Sequence, residues 1–168
     1  MSKAYIICGS PAAGKTSYGR KLAEEKKAAF LDIDISTERL VQLALVESGH
    51  DKDDRDSDYF KETYREVIYQ TMFDIARENL QWIDVVIAGP FTRELRMEKW
   101  HETLAAELKS EIEIHYVYCN AEERRRRMEE RNSKRDKAKL KSWDSINAYY
   151  GNEEPPPFEH IFVDTSKK

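Results

Sequence analysis

The sequence predicts an α/β fold in which a five-stranded parallel sheet is flanked by helices. Three observations carry that prediction. Short apolar, β-prone runs recur at Ala4–Cys8, Ala29–Ile33, Val85–Ala88, Ile112–Cys119 and Ile161–Val163. Helix-compatible stretches separate them, the rhythm of parallel strands joined by right-handed crossovers. The length of 168 residues suits one domain with a sizeable core, so 1–168 is read as a single unit.

The first run leads into Gly9-Ser10-Pro11-Ala12-Ala13-Gly14-Lys15-Thr16, which reads G-x-x-x-x-G-K-[ST], and a helix-compatible stretch follows from Ser17 to Lys27. Glycines let backbone N–H groups curl around phosphate oxygens, and the following helix points its positive end at them. The lysine of such a loop reaches the β- and γ-phosphates, and the hydroxyl residue ligates Mg²⁺. Gly9, Ser10, Pro11, Ala12, Ala13, Gly14, Lys15, Thr16 and Ser17 are therefore the expected binding residues for a nucleoside triphosphate, with Lys15 also acting on the reacting phosphates.

The segment 36–81 is too long for one crossover helix and divides at Asp51-Lys52-Asp53-Asp54-Arg55-Asp56-Ser57-Asp58. Two helices joined by a solvated acidic loop are expected, and by its position that loop could also fringe an acceptor site. In the second helix Phe60, Tyr64, Val67, Ile68, Met72 and Ile75 recur at steps of three and four, a single core-facing stripe. Glu153-Glu154-Pro155-Pro156-Pro157 predicts a stiff surface connection into the last strand.

In Leu31-Asp32-Ile33-Asp34, strand alternation puts both carboxylates on one face, near the carboxyl edge where open α/β sheets bind ligands. Asp34, the later of the two, is the candidate base for an acceptor hydroxyl. Asp32 stands nearer the metal, so Thr16, Asp32 and Asp34 form the candidate metal-facing set. The competing role for either carboxylate is to cap a helix beginning near Ser36-Thr37.

Asn120-Ala121-Glu122-Glu123 has the form of a capping box, and a basic run follows. If that helix continues, Arg127, Arg131 and Arg135, spaced by four, share one face suited to gripping phosphates. Arg124, Arg125 and Arg126 then form a solvated face partly paired with Glu122, Glu129 and Glu130.

The net charge of −4 gives no global reason to expect nucleic acid or an anionic membrane. Cys8 and Cys119 end predicted strands and read as buried, reduced thiols, and the four histidines show no metal-ligand spacing. No apolar run nears the ~20 residues of a membrane span, and the chain runs directly into its first strand, so a cytoplasmic protein is expected.

The arrangement resembles the small P-loop kinases that phosphorylate hydroxyls, the group of polynucleotide 5′-kinases, gluconate kinase, chloramphenicol phosphotransferase and zeta-toxin kinases. The resemblance covers nearly the whole chain. It rests on G-S-P-A-A-G-K-T, on Asp34 after the second strand, on Val85-Val86-Ile87-Ala88-Gly89-Pro90-Phe91 as the third, and on Arg131-Asn132-Ser133-Lys134-Arg135. It implies a P-loop NTPase fold with a helical acceptor-site insertion at about 36–82 and a helical lid at about 121–142. ATP and Mg²⁺ are the implied ligands. Arg131 and Arg135 become the lid's nucleotide-binding and catalytic residues, and the base is held between a lid arginine and Asp164-Thr165-Ser166-Lys167-Lys168. Two departures stand out. The third strand ends in Ala88-Gly89, where many relatives place an aspartate, and Thr37 occupies the offset at which polynucleotide kinases carry an arginine. Arg39, Arg93 and Arg96 are the candidate contacts for an anionic acceptor, with a solvated helix face as the alternative for the last two. The expected function is ATP-dependent phosphoryl transfer to an alcohol group of a small molecule or a nucleic-acid 5′ end. The alternative is a nucleotide-binding switch or slow NTPase that works through a partner.

Overall fold

Apolar side chains on both faces of the strands demand a sheet covered on both sides, and the computed structural model, which describes residues 1–149 and 154–167, has that form. Strands β1 (Lys3–Cys8), β2 (Ala29–Asp32), β3 (Val85–Ala88), β4 (Glu111–Tyr118) and β5 (Ile161–Asp164) are all parallel, in the order β2-β3-β1-β4-β5. Helix α1 (Lys15–Lys26) follows β1. Helices α2 (Ile33–Glu47), α3 (Asp58–Thr63) and α4 (Arg65–Asn79) separate β2 from β3. A single 3-10 turn at Glu94–Arg96 and α5 (Trp100–Leu108) precede β4, and α6 (Ala121–Arg131), α7 (Lys134–Lys141) and α8 (Trp143–Tyr149) precede β5.

Alternation along the central strand β1 sets the layers. Ala4, Ile6 and Cys8 pack with Val41 of α2, Met72 of α4 and Leu104 of α5. Tyr5 and Ile7 meet Leu22 and Ala23 of α1, with Val86 and Val117 beside them. The register stands Ile7, Ala88 and Asp32 in one row, so the loop after β1, the start of α2 and Gly89 all emerge at the same edge. Cys8 and Cys119 are buried free thiols, and burial pushes the Cys8 thiol up to about 12. No helix among the described residues is long and apolar enough to cross a membrane.

Several local expectations are corrected. Strand β2 ends at Asp32, whose Oδ1 accepts from the backbone N–H groups of Asp34 and Ile35 and so starts α2 ahead of Ser36. Asp34 therefore sits in the first turn of a helix, not on a strand face beside Asp32. The region 36–81 holds three helices, because Ser57 caps α3 and the chain bends at Tyr64, where φ is −112°. Phe60, Ile68 and Met72 are buried, but Val67 is 62% exposed and Ile75 39%, while Tyr69, Phe73 and Ala76 take their core places. Helix α6 stops at Arg131, because Asn132 adopts a left-handed φ of 51° and Ser133 caps α7, so Arg135 lies on a different helix from Arg127 and Arg131. Arg124 is fully buried instead of solvated. It donates to the Cys119 carbonyl at 3.2 Å and to Asn147, with Trp143 against its guanidinium. On the true outer face Arg125 pairs with Glu129, and Arg126 with Glu123 and Glu130, Glu123 taking the place expected of Glu122. The proline connection is anchored as well, since Pro156 and Phe158 are buried and Phe158 packs on Trp100. Glu153 of that tract and Lys168 of the tail lie outside the described residues.

Candidate active site

The loop after β1 is bent for an anion. Gly9, Ala12 and Gly14 have φ of 137°, 62° and 95°, and Ala13 N–H donates back to the Ser10 carbonyl at 3.2 Å. Helix α1 begins at Lys15 with Gly14 as its cap residue, so no capping side chain covers the first-turn N–H groups. Lys15 Nζ donates to the Ser10 carbonyl at 2.7 Å, which holds its ammonium over the loop.

Thr16 Oγ1 donates to Asp32 Oδ2 at 2.7 Å, while Asp32 Oδ1 caps α2. Asp32 thus does both jobs considered for the two aspartates, as helix cap and as an oxygen beside the threonine. A hydroxyl and a carboxylate oxygen together fit Mg²⁺, which takes one or two carboxylates along with water and substrate phosphates. Among the described residues no group of three or more His, Cys, Asp and Glu side chains could hold a metal by itself.

Two residues beyond, the Asp34 carboxylate is paired with Arg55 at 3.4 Å and Arg135 at 3.6 Å. The same guanidiniums reach Glu38, one helical turn along, at 2.8 and 3.9 Å. Burial works to raise the Asp34 pKa, but Arg135, Arg55, Lys15 and Lys139 outweigh it and hold the group below its ordinary value. Arg55 is 4% exposed at its side chain and donates to Thr37 Oγ1 at 3.4 Å. The acidic loop is therefore folded over the site by its arginine, and the neighbouring Asp56 pairs with Lys139 of α7. Arg131 makes a two-pronged contact with Asp136, 2.6 Å at each nitrogen. Arg127 braces the loop from the other side: it donates to the carbonyls of Ala12 at 3.3 Å and Thr165 at 2.5 Å, and Thr165 Oγ1 donates to the Ala13 carbonyl at 2.6 Å.

These groups open on one cleft of about 950 Å³ lined by ten basic and six acidic side chains, although the chain as a whole is net negative. Pro11, Ala12, Gly14, Lys15, Thr16, Ser17, Asp32, Asp34, Arg131 and Arg135 line it as expected, and Gly9, Ser10 and Ala13 build the loop beneath. Arg39, Arg93 and Arg96 do not. Arg39 lies off the buried stripe of α2 formed by Ile33, Thr37, Val41 and Leu45. Arg93 and Arg96 are turned outward around the buried Leu95, with Arg96 4.0 Å from Glu154. In their place the cleft is lined by Arg55, Lys61, Arg65 and Lys139, in addition to the cations of the loop and the lid. Sequence signals exist for three of these four. Arg55 is the one arginine in an acidic run, and Lys61 and Arg65, four apart, flank the Phe60–Ile68 stripe.

A family model described as an AAA domain matches residues 5–155. No functionally curated protein matches the sequence. Among solved structures, a gluconokinase from Sinorhizobium meliloti aligns with a TM-score of 0.60 at 14% identity, over 99% of this chain and 84% of that one. A sugar kinase from Janibacter aligns at 0.61 and 16%, over 98% and 86%, and a shikimate kinase from Bacteroides thetaiotaomicron at 0.56 and 15%, over 96% and 86%. At these identities the likeness is one of fold. With the phosphate-type loop at the carboxyl edge of a 2-3-1-4-5 parallel sheet and a family match running from β1 into the tract before β5, the chain belongs to that AAA domain family, in an α/β P-loop form whose fold small kinases share.

Proposed function

We propose that this protein is an ATP-dependent kinase, a single P-loop domain acting in the cytoplasm, that transfers a γ-phosphoryl group to a hydroxyl of a small molecule. The observation that supports it most is Asp34, an ionised carboxylate steadied by Arg55 and Arg135 in the same cleft as Lys15 and Thr16. The loop N–H groups and Lys15 hold the triphosphate, and Thr16 with Asp32 supply the protein's oxygens to Mg²⁺. When bound, that ion neutralises charge on the β- and γ-oxygens. Arg131 and Arg135 offset the negative charge that develops on the phosphate oxygens in transfer. The acceptor oxygen bonds to the γ-phosphorus as the bond to the bridging oxygen breaks, ADP leaves with that electron pair, and Asp34 takes the acceptor's proton.

Small molecules are favoured over nucleic-acid ends because the Thr37 hydroxyl, at the offset where polynucleotide kinases carry an arginine, is spent on the Ile33 carbonyl at 2.6 Å. The test is ATP, Mg²⁺ and a panel of small alcohols beside an oligonucleotide with a free 5′-hydroxyl, with products read by mass spectrometry and Lys15→Ala as control. Phosphorylated small alcohol, absent with the control, supports the reading. ADP release that stays at background with every acceptor and rises with a protein partner replaces it with a nucleotide switch.

A further inference from the structure

Resting on that kinase reading, the far end of the cleft can be read for what it would accept. Beyond Asp34 its charge is lopsided: Arg55, Lys61, Arg65 and Lys139 line it against Asp56, which Lys139 already holds. Both arginines are fixed from behind. Glu94 accepts from the two Nη atoms of Arg65 at 2.9 and 2.7 Å, Glu38 accepts from Arg55 at 2.8 Å, and neither glutamate lines the cleft. Each guanidinium also lies against an aromatic ring of the wall, Arg65 at 4.7 Å from Tyr69 and Arg55 at 5.3 Å from Phe60.

Lys61 differs from them. Its Nζ lies 4.8 Å from the centre of the Tyr149 ring and makes no ion pair among the described residues. An ammonium without a counter-charge, set in a wall of Phe60, Ile68, Tyr69 and Tyr149, suits an anion that arrives on an apolar body. We infer that this end is the acceptor subsite and takes a small alcohol bearing a carboxylate or a phosphate, with Lys61 on the anion, the aromatic wall on the carbon skeleton and Asp34 on the hydroxyl. Lys61 and Arg65 are thereby the residues that set acceptor specificity.

The experiment uses small hydroxy acids and hydroxyaryl phosphates, each beside its methyl ester or dephosphorylated parent, titrated calorimetrically with ADP and Mg²⁺ present and then assayed with ATP. Anionic members should bind and their neutral partners should not, and whether acids or phosphates bind identifies the anion. Lys61→Met should raise the acceptor KM at least about tenfold at nearly constant kcat, as expected when an interaction common to ground and transition states is lost, and Lys61→Arg should recover most of it. An acid that binds through Lys61 but is never phosphorylated keeps the subsite and removes the kinase reading. A neutral alcohol or the 5′-hydroxyl oligonucleotide phosphorylated with the same KM in Lys61→Met keeps the kinase and removes the subsite. Failure of every anionic member to bind removes the subsite as well.

Discussion

Replacing Gly9 by alanine should cost more than the same change at Gly14, although both glycines belong to one motif. A Cβ at Gly9 would stand 3.2 Å from the Val117 carbonyl carbon and closer still to its oxygen. Gly9 directly follows β1 and Val117 lies within β4, two strands held together from Lys3↔Glu111 to Cys8↔Tyr116, so neither backbone can retreat without opening the centre of the sheet. At Gly14 a Cβ would meet its nearest atoms at ordinary distances of 3.6 Å and beyond, and only the φ of 95° penalises it. A residue forced to positive φ costs about 1–2 kcal/mol, and an overpacked atom adds about 1–3 kcal/mol. Gly14→Ala should therefore lose about 1–2 kcal/mol and Gly9→Ala about 2–5 kcal/mol. In a domain of this size about 1 kcal/mol moves Tm by about 2–4 °C, so thermal unfolding should drop by about 4–20 °C for Gly9→Ala and by less for Gly14→Ala. A Gly9→Ala protein as stable as Gly14→Ala would refute the close approach of the loop to β4.

Arg135→Ala should lower kcat more than it weakens nucleotide affinity, by steady-state kinetics beside calorimetric titration, and equal losses would make it a simple binding residue. Arg124→Ala should cost about 2–4 kcal/mol in denaturant unfolding because it empties a buried, hydrogen-bonded site, whereas Arg125→Ala on the outer face should stay within about 0.5 kcal/mol. His115 gives a pH signature. It lies between the Tyr18 hydroxyl at 2.7 Å and Glu113 at 2.9 Å, and burial, working against Glu113, holds it below its ordinary 6.5. As pH falls the unfolded chain takes up that proton first. Stability from this group is therefore full above about 6.5 and drains as pH drops through and below that value, and His115→Gln should flatten the curve.

The sheet, its strands and the phosphate loop were legible because each is a local signal: an apolar run, or a motif between a strand and a helix. What failed was anything decided by a turn of chain or by a distant partner. Asp32 and Asp34 both line the cleft, but not as alternate residues of one strand, because a cap that satisfies two backbone N–H groups outcompetes another strand residue. The even spacing of Arg127, Arg131 and Arg135 could not reveal that Asn132 would end the helix. Arg124 is indistinguishable in sequence from Arg125, and only Cys119, Asn147 and Trp143, brought in from elsewhere, make it a buried residue. Arg55 is masked by its acidic neighbours in the loop, since its partners Asp34 and Glu38 sit on helix α2.

Transfer to an alcohol depends on Asp34 as the group that accepts the acceptor's proton, and the most direct measurement is phosphorylation of an alcohol by Asp34→Asn beside nucleotide titration over a range of Mg²⁺. The amide keeps the shape and removes the proton acceptor, so turnover should fall by about 10²–10⁴-fold while nucleotide affinity and its Mg²⁺ dependence stay nearly unchanged. Unchanged turnover would rule out Asp34 as the base, and so would weakened nucleotide binding that added Mg²⁺ restores, which would make Asp34 a metal-holding residue instead.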